Sequence, residues 1–363
     1  MGNIGPKDAA LGTPVLAGAF RHVTNSYKHL LFRALLREVS NGQDRIPLAR
    51  LASGMMEEAW WPGFHYRLNL GARDMVVARI AAAVDAEALR RYPHAVRVAL
   101  DGAVSGSRDK LLRFVPQRFL RPWFADQTRG LADHRVDAAV TALSRASRPV
   151  GAPVPLYEIA ETEIRVAPVW MDYLENNLAF VQGWSDAMWI AYLEARNPGV
   201  PGLMQKIAPA LDRPSLADQR VLWRAVMDRE QVACIYTGTL LDPGNIAIDH
   251  FIPRSFVSHD RMWNLTPTCQ QVNLAKSDHL PDLAFVPRLA RQHAQVARTA
   301  DRLEGRAAVI WNRALDEVAS DLRIGSDVLR RADDLEAVYA DMLGGLAGIA
   351  RRMGFPEGWH PGP

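Results

Sequence analysis

Apolar residues recur at helical spacing through most of this sequence, and one short segment breaks the pattern. The helical period is clear between Phe20 and Val39, between Ile46 and Ala59, and, near the C-terminus, in Ala307–Val318 and Leu335–Ile349. Between Val232 and Pro281, β-prone pieces flank the turn residues Asp242-Pro-Gly244, and a polar stretch rich in Asn, His and Asp follows. The sequence therefore predicts a mainly α protein with one small embedded α+β unit.

Further elements follow from periodicity and from breaking residues. We expect a helix break at Trp60-Trp61-Pro62-Gly63, two helices in Trp170–Ala195 that meet near Gly183, and a helix over Ser215–Arg229 with Ser215 at its N-cap. Additional helices are predicted over Arg73–Ala88 and Val136–Ala146, and a hairpin over Leu156–Val166. In the α+β unit, the predicted hairpin pairs Cys234-Ile-Tyr236 with Asn245-Ile-Ala-Ile248.

These patterns divide the chain into four segments. Residues 1–150 form a helical region without a recognisable role, and 151–230 combine short strands with helices, after the proline-rich stretch 148–155. Residues 231–282 hold the small α+β unit, and 283–363 form a C-terminal helical region. A length of 363 residues suits two or three structural units.

Composition excludes several classes of protein. With 48% hydrophobic residues, 23% charged residues and a net charge of +3, the chain is neither disordered nor a histone-like polycation, so any contact with nucleic acid must be local. There is no secretory signal and no apolar run of about 18 residues, which predicts a cytoplasmic protein without a membrane span. P-loop, dinucleotide-binding, His-Glu-x-x-His and Gly-x-Ser-x-Gly motifs are missing.

The polar segment carries the residues that phosphodiester hydrolysis requires. Such a reaction needs a base for the attacking water, a divalent cation and a group that orients the base. His250, at the end of a predicted strand, suits the base, because an imidazole side chain can take up a proton near neutral pH. Asp249 and Asn273 offer hard oxygen ligands, which favour Mg²⁺ over zinc.

Asp249-His250, Asn264 and Asn273 together resemble the HNH (His-Asn-His/Asn) endonucleases, whose fold is the ββα-metal motif. The spacing of 14 residues from His250 to Asn264 and 9 more to Asn273 is similar to that of the HNH domain in RNA-guided CRISPR effectors. So are the phrases Ile248-Asp-His250, Pro253-Arg-Ser-Phe256 and Lys276-Ser-Asp278. The resemblance implies a ββα-metal nuclease motif packed among helical flanks.

The resemblance also implies roles for single residues. His250 would be the general base, Asp249 and Asn273 would bind Mg²⁺ or Mn²⁺, and Asn264 would hold the loop and orient the imidazole. Arg254 and Lys276 would neutralise phosphate or the leaving oxygen, with solvated surface charge as an equal alternative. For His279 we favour a place at a helix end over metal binding, and for His259-Asp260 a solvated turn.

The cysteines depart from the pattern of zinc-containing relatives. Many HNH proteins hold a structural zinc with two Cys-x-x-Cys pairs, but here Cys234 and Cys269 each lack the second thiol. The sequence therefore disfavours structural zinc and makes both residues small buried side chains rather than ligands or a bridge. Without zinc, an apolar core must hold the hairpin, and the candidates are Tyr236, Phe251, Ile252, Trp263 and Leu265.

Two function hypotheses follow. The first is a metal-dependent endonuclease that nicks or cuts DNA; the resemblance adds antiphage defence or a mobile element as its setting, with a defence-system protein as a partner. The alternative is a DNA- or protein-binding regulator with an inactive HNH fold, which retention of His250, Asp249 and Asn273 disfavours. The motif does not separate DNA from RNA and leaves the oligomeric state open.

Two features of the helical flanks could bind nucleic acid. The aromatic residues among the arginines of Arg113–Arg129 could line a basic groove, although they more plausibly form core beneath a charged face. Ser26–Met55 has the order helix, turn, helix, which could be a DNA-reading module.

Overall fold

The computed structural model describes two compact units. The described residues are 11–21, 23–83, 96–104, 109–147, 150–208 and 215–362. The first unit comprises Met1–Pro198 with Lys206–Pro209, and the second comprises Gly199–Gln205 with Ala210–Pro363. The predicted segment 151–230 is therefore shared between the two units.

The first unit is a helical assembly around a small sheet. Its helices are α1 (Thr13–Gly18), α2 (Tyr27–Ser40), α3 (Leu48–Ala59), α4 (Val76–Ala83), α5 (Val96–Gly102), α6 (Val115–Leu120), α7 (Asp133–Arg145), α8 (Pro168–Asn176) and α9 (Leu178–Glu194). Single turns of 3₁₀ helix lie at Lys110–Leu112 and Arg121–Phe124. The short helix α10 (Leu203–Lys206) follows where the chain passes between the units.

An antiparallel sheet joins distant parts of the first unit. The strands β1 (Arg45–Pro47), β2 (Tyr157–Ile159) and β3 (Glu163–Val166) lie in the order β1-β3-β2, which confirms the predicted hairpin. The added strand β1 pairs Ile46 with Ile164, and both side chains are buried. Because β1 stands between α2 and α3, and most residues of α3 are buried, this region differs from a simple helix-turn-helix.

The structure differs from the sequence prediction at two expected helix breaks. The helices of Trp170–Ala195 separate at Asn177, whose side-chain amide donates to the Tyr173 carbonyl at 2.9 Å, whereas Gly183 lies inside α9. The predicted break at Trp60-Trp61-Pro62-Gly63 is instead a π-helix, Trp60–His65, that continues α3. A Cβ on Gly63 would lie 2.7 Å from side chains of Leu70 and Val77, so glycine is needed there for close packing rather than as a breaker.

The second unit packs long helices around a two-stranded ribbon. Its helices are α11 (Ala217–Met227), α12 (Arg254–Val257), α13 (Gln270–Lys276), α14 (Val286–Thr299), α15 (Gly305–Leu322) and α16 (Ala332–Arg352). Its strands are β4 (Ala247–His250) and β5 (Leu265–Thr268). Single 3₁₀ turns lie at Pro243–Asn245, Met262–Asn264, Leu283–Phe285, Ala300–Arg302 and Val328–Arg330.

The predicted pairing within the α+β unit was wrong. Strand β4 pairs with β5, with His250 opposite Leu265, while Cys234-Ile-Tyr236 enters a tight turn. The Cys234 amide donates to the Thr239 carbonyl at 2.9 Å, and the Gly238 amide donates to the Cys234 carbonyl at 2.8 Å. All four residues of β5 are buried, so its burial does not alternate as it would in a half-exposed strand.

The sequence order β4, β5, α13 confirms a ββα unit inside a mainly α chain. The predicted core residues are all buried. They join one apolar core with residues of α11, α14, α15 and α16. Among the described residues, no helix has the length and apolar character needed to cross a membrane.

Candidate active site

The candidate site lies where β4 ends against α13. Asp249 and His250 are the last two residues of β4, and their exposed fractions are only 4% and 7%. Asn273 and Lys276 come from α13, which packs on β4. The ββα order thus brings the Asp249 carboxylate, the His250 backbone and the Lys276 ammonium together, and Asn273 lies one helical turn before Lys276 on α13.

The Asp249 carboxylate is held by two side chains. Tyr236 Oη donates to its Oδ2 at 2.6 Å, and Lys276 Nζ lies 3.3 Å from Oδ1 and 3.2 Å from Oδ2. Burial and the neighbouring Asp249 carboxylate raise the pKa of Tyr236 well above its ordinary value, so the phenol stays a donor. These contacts fix the direction in which the carboxylate presents its remaining lone pairs.

Lys276 lies in the interior and not on a phosphate-facing surface. Its side chain has no exposed area, and Nζ also donates to the His250 carbonyl at 2.6 Å. Since Asp249 and this carbonyl occupy the ammonium, the structure differs from the predicted phosphate contact. A buried charge requires such partners, because an unpaired ammonium in an apolar interior is strongly destabilising.

The imidazole of His250 is oriented by Asp260. Nε2 lies 2.8 Å from Asp260 Oδ1, and Arg254 Nε donates to the same oxygen at 2.9 Å. Burial raises the pKa of Asp260, but hydrogen bonds from His250 and Arg254 outweigh burial and bring the pKa to about 2. A carboxylate ionised at neutral pH favours the tautomer with its proton on Nε2, which leaves Nδ1 as the basic nitrogen.

The prediction that His259-Asp260 is a solvated turn was wrong for Asp260, whose carboxylate contacts His250 and Arg254. The sequence signal was an Asp ten positions after His250, which alone does not separate a turn residue from a partner of the imidazole. Asn264, predicted to hold the loop and to orient the imidazole, has contacts of the first kind only. Its amide donates to the Ile252 carbonyl at 2.9 Å and accepts from the Ile252 amide at 2.8 Å, so it closes the loop between β4 and β5 without touching the imidazole.

The residues fit a divalent cation with hard ligands. The side chain of Asn273 is half-buried and makes no hydrogen bond to any residue that the structure describes. Its amide oxygen and the Asp249 carboxylate suit Mg²⁺ or Mn²⁺, which commonly take one or two protein oxygens and complete their shell with water and phosphate. Across the described ranges, no three His, Cys, Asp or Glu side chains form a metal-binding group.

The remaining candidates lie beside this centre. His279 Nδ1 is 2.8 Å from the Lys276 carbonyl at the end of α13, which is the helix-end position favoured from the sequence. Cys234 Sγ lies 3.2 Å from Thr268 Oγ1, and Cys269 is at the N-cap of α13; both thiols are free. The prediction that structural zinc is absent stays a prediction.

The ββα unit has an imidazole and a carboxylate at the end of its first strand and an amide side chain on its helix, which is the arrangement that the resemblance to HNH endonucleases implies. The family model described as HNH endonuclease matches residues 234–282, so this segment is an HNH endonuclease domain and the resemblance is confirmed. No curated protein and no solved structure gives a significant match.

Proposed function

We propose that this chain is a metal-dependent endonuclease that hydrolyses DNA phosphodiester bonds at the site formed by β4, β5 and α13. The observation that carries the proposal is the His250 imidazole, which Asp260 orients beside the buried Asp249 carboxylate. The HNH match to residues 234–282 supports nuclease chemistry. DNA as the substrate, the metal and the residue roles are the steps that we add.

His250 acts as the general base in this proposal. Nδ1 accepts a proton from the attacking water, while Nε2–H donates to Asp260. The ionised Asp260 then stabilises the imidazolium that forms, in the way that a buried carboxylate assists a catalytic histidine. Arg254 donates to the same Asp260 oxygen, and its guanidinium, 21% exposed, is the cation we assign to the phosphate.

Asp249 and Asn273 hold the cation. A bound Mg²⁺ or Mn²⁺ would polarise the scissile phosphate and stabilise charge on the leaving oxygen. Tyr236 and Lys276 orient the Asp249 carboxylate through its two oxygens, and Asn264 fixes the loop that carries Asp260. Because one such site handles one phosphodiester, a single copy nicks one strand, and cutting both strands requires two sites.

The test is cleavage of supercoiled plasmid by the full chain in Mg²⁺ and in Mn²⁺. We expect nicked circle from the wild type, none from His250→Ala, and strongly reduced product from Asn273→Ala. His134→Ala, an exposed histidine in the first unit, is the matched control and should cut like the wild type. RNA of the same sequence in parallel reactions identifies the sugar preference.

If the plasmid stays intact with every protein and with both metals, the result contradicts the proposed endonuclease activity. If the same preparations bind the plasmid, that result favours the alternative, a regulator with an inactive HNH fold. We also propose a role in antiphage defence, the setting that the resemblance implies, and it is tested in cells. Plaque formation by phage should fall in cells that express the wild type and recover in cells that express His250→Ala. Equal plaque counts for the wild type and His250→Ala would contradict the defence role, and the proposed nuclease activity would not be affected.

A further inference from the structure

A basic cavity opens in the first unit. It has a volume of about 620 Å³ and is lined by residues around the start of α2 and by the stretch from Lys110 to Pro122. The lining contains one carboxylate, Asp133, and five cationic side chains: Arg21, Lys28, Lys110, Arg118 and Arg121. We call it the basic cavity.

Two of the five cations have carboxylate partners. Arg121 lies 2.9 Å from Asp133 and 2.7 Å from Asp137, and Arg118 lies 3.6 Å from Asp137. Across the described residues, by contrast, Arg21 and Lys110 have no ion pair, and both are exposed. The whole chain carries a net charge of +3, so this one cavity concentrates more positive charge than the protein has in excess.

Lys28 is a largely buried cation of this cavity. Its Nζ donates to the Ala19 carbonyl at 2.8 Å and has no carboxylate partner among the residues described. Burial, with further contributions from Arg121 and Arg118, lowers the pKa of Lys28 to about 8. Like charges held together in this way destabilise the empty cavity, and a bound anion relieves that repulsion.

An aromatic ring adds a second kind of surface. Phe114 lines the cavity with 39% of its area exposed, and the guanidinium carbons of Arg118 and Arg113 lie 4.7 and 4.9 Å from its ring centroid. The other aromatics of the predicted basic groove, Phe119, Trp123 and Phe124, are buried core, as the more plausible alternative had it. Phe114 is therefore the ring of that stretch that a planar ligand can reach.

We propose that the basic cavity binds a nucleotide, with its phosphate among the cations and its base near Phe114. Cations that track phosphate beside aromatic rings are the usual combination for single-stranded nucleic acid, and the volume is in the range of pockets for small ligands. The nucleotide can be free or part of a strand, since both offer the same phosphate and base. The cavity lies in the first unit and does not depend on the nuclease proposal.

The experiment measures binding by the full chain carrying His250→Ala, so that no strand is cut. The two probes are a fluorescein-labelled single-stranded 12-nucleotide DNA, followed by anisotropy, and a fluorescent ATP analogue. The test variant adds Arg21→Glu and Lys110→Glu. The matched control adds Arg45→Glu and Arg129→Glu, two exposed arginines of the same unit that do not line the cavity. Circular dichroism verifies that both variants fold.

We expect the test variant to bind at least one probe at least about tenfold more weakly than the control variant. For the DNA, the slope of log K against log salt should become shallower by about 1.4, since two phosphate contacts are lost. Loss confined to DNA identifies a strand as the source of the nucleotide, and loss confined to the ATP analogue identifies a free nucleotide. Equal affinities in test and control variants, or no binding of either probe to the parent, overturn the proposal whether or not the plasmid is cut.

Discussion

Replacing Lys276 by methionine tests whether this residue is the buried counter-ion of Asp249. The ammonium has no exposed area, and methionine keeps much of its volume while removing the charge. Asp249, 4% exposed, would then keep Tyr236 as its hydrogen-bond donor but no cation. Breaking a buried pair by removing one partner costs about 3–5 kcal/mol, and we expect a loss of that size in the free energy of unfolding.

The assay is calorimetry of the full chain in EDTA, in which the transition of the second unit should move by roughly 10 °C, at about 2–4 °C per kcal/mol for a unit of this size. The double variant Asp249→Asn/Lys276→Met should regain most of the loss, because no charge remains buried. Excess Mg²⁺ should stabilise Lys276→Met more than the wild type, since the cation supplies the missing positive charge beside Asp249.

Two results would refute this reasoning. One is a Lys276→Met transition within about 0.5 kcal/mol of the wild type in EDTA, which is the range of ordinary surface substitutions. The other is additivity of Asp249→Asn and Lys276→Met in the double variant, because side chains 3.2 Å apart in a buried pair must show a coupling energy. Either result would mean that the Lys276 ammonium is not the counter-ion that stabilises a buried Asp249 carboxylate.

Three further variants test the site and its support. Asp260→Ala should lower the rate of plasmid nicking about 100-fold with unchanged DNA affinity, because the His250 imidazole loses its orienting carboxylate; an unchanged rate in a time course would exclude that role. Asn264→Ala should lower the free energy of unfolding by about 2–4 kcal/mol, since both backbone groups of Ile252 lose their partner, and urea titration checks this. Burial lowers the pKa of His293 from 6.5 to about 4, so the imidazole binds a proton more readily in the unfolded chain than in the folded one. The free energy of unfolding should therefore fall by about 3 kcal/mol as the pH decreases from 6.5 to 4. His293→Gln should remove that part of the pH dependence, which urea titrations at several pH values measure.

The helices and the ββα unit could be predicted because each signal is local. The apolar spacing of α2 and the helical pattern around α7 are properties of consecutive residues, and the structure has helices there. The partner of β4 could not be found in this way. Leu265–Thr268 is only four residues long, is buried at every position and includes a proline, which disfavours a strand assignment from sequence. Its pairing is decided by the helices that cover it.

The sequence predicted the candidate residues from the spacing of the HNH motif, but it did not predict the side chains that contact them. Asp260 contacts His250 across ten residues of loop, and Tyr236 and Lys276 reach Asp249 from elements on either side of it in sequence. Each contact depends on how a loop or helix packs, and no periodicity encodes that. The sequence placed Lys276 near the site but gave no indication that its ammonium is buried.

The contacts of β5 explain how the HNH domain keeps its shape with one thiol in each former pair. Thr266 Oγ1 donates to Gln292 Oε1 at 2.7 Å, and the His293 Nε2 lies 2.9 Å from the Leu265 carbonyl; both partners belong to α14. On its other side, His293 Nδ1 is 2.7 Å from Tyr339 Oη on α16. The buried faces of β5 and α14 share one core, so the ribbon that carries the catalytic strand is fixed by helices outside residues 234–282. Hydrogen bonds and apolar contacts to α14 and α16 thus hold β5 in place, and a change in α14 or α16 acts on the candidate site through β5.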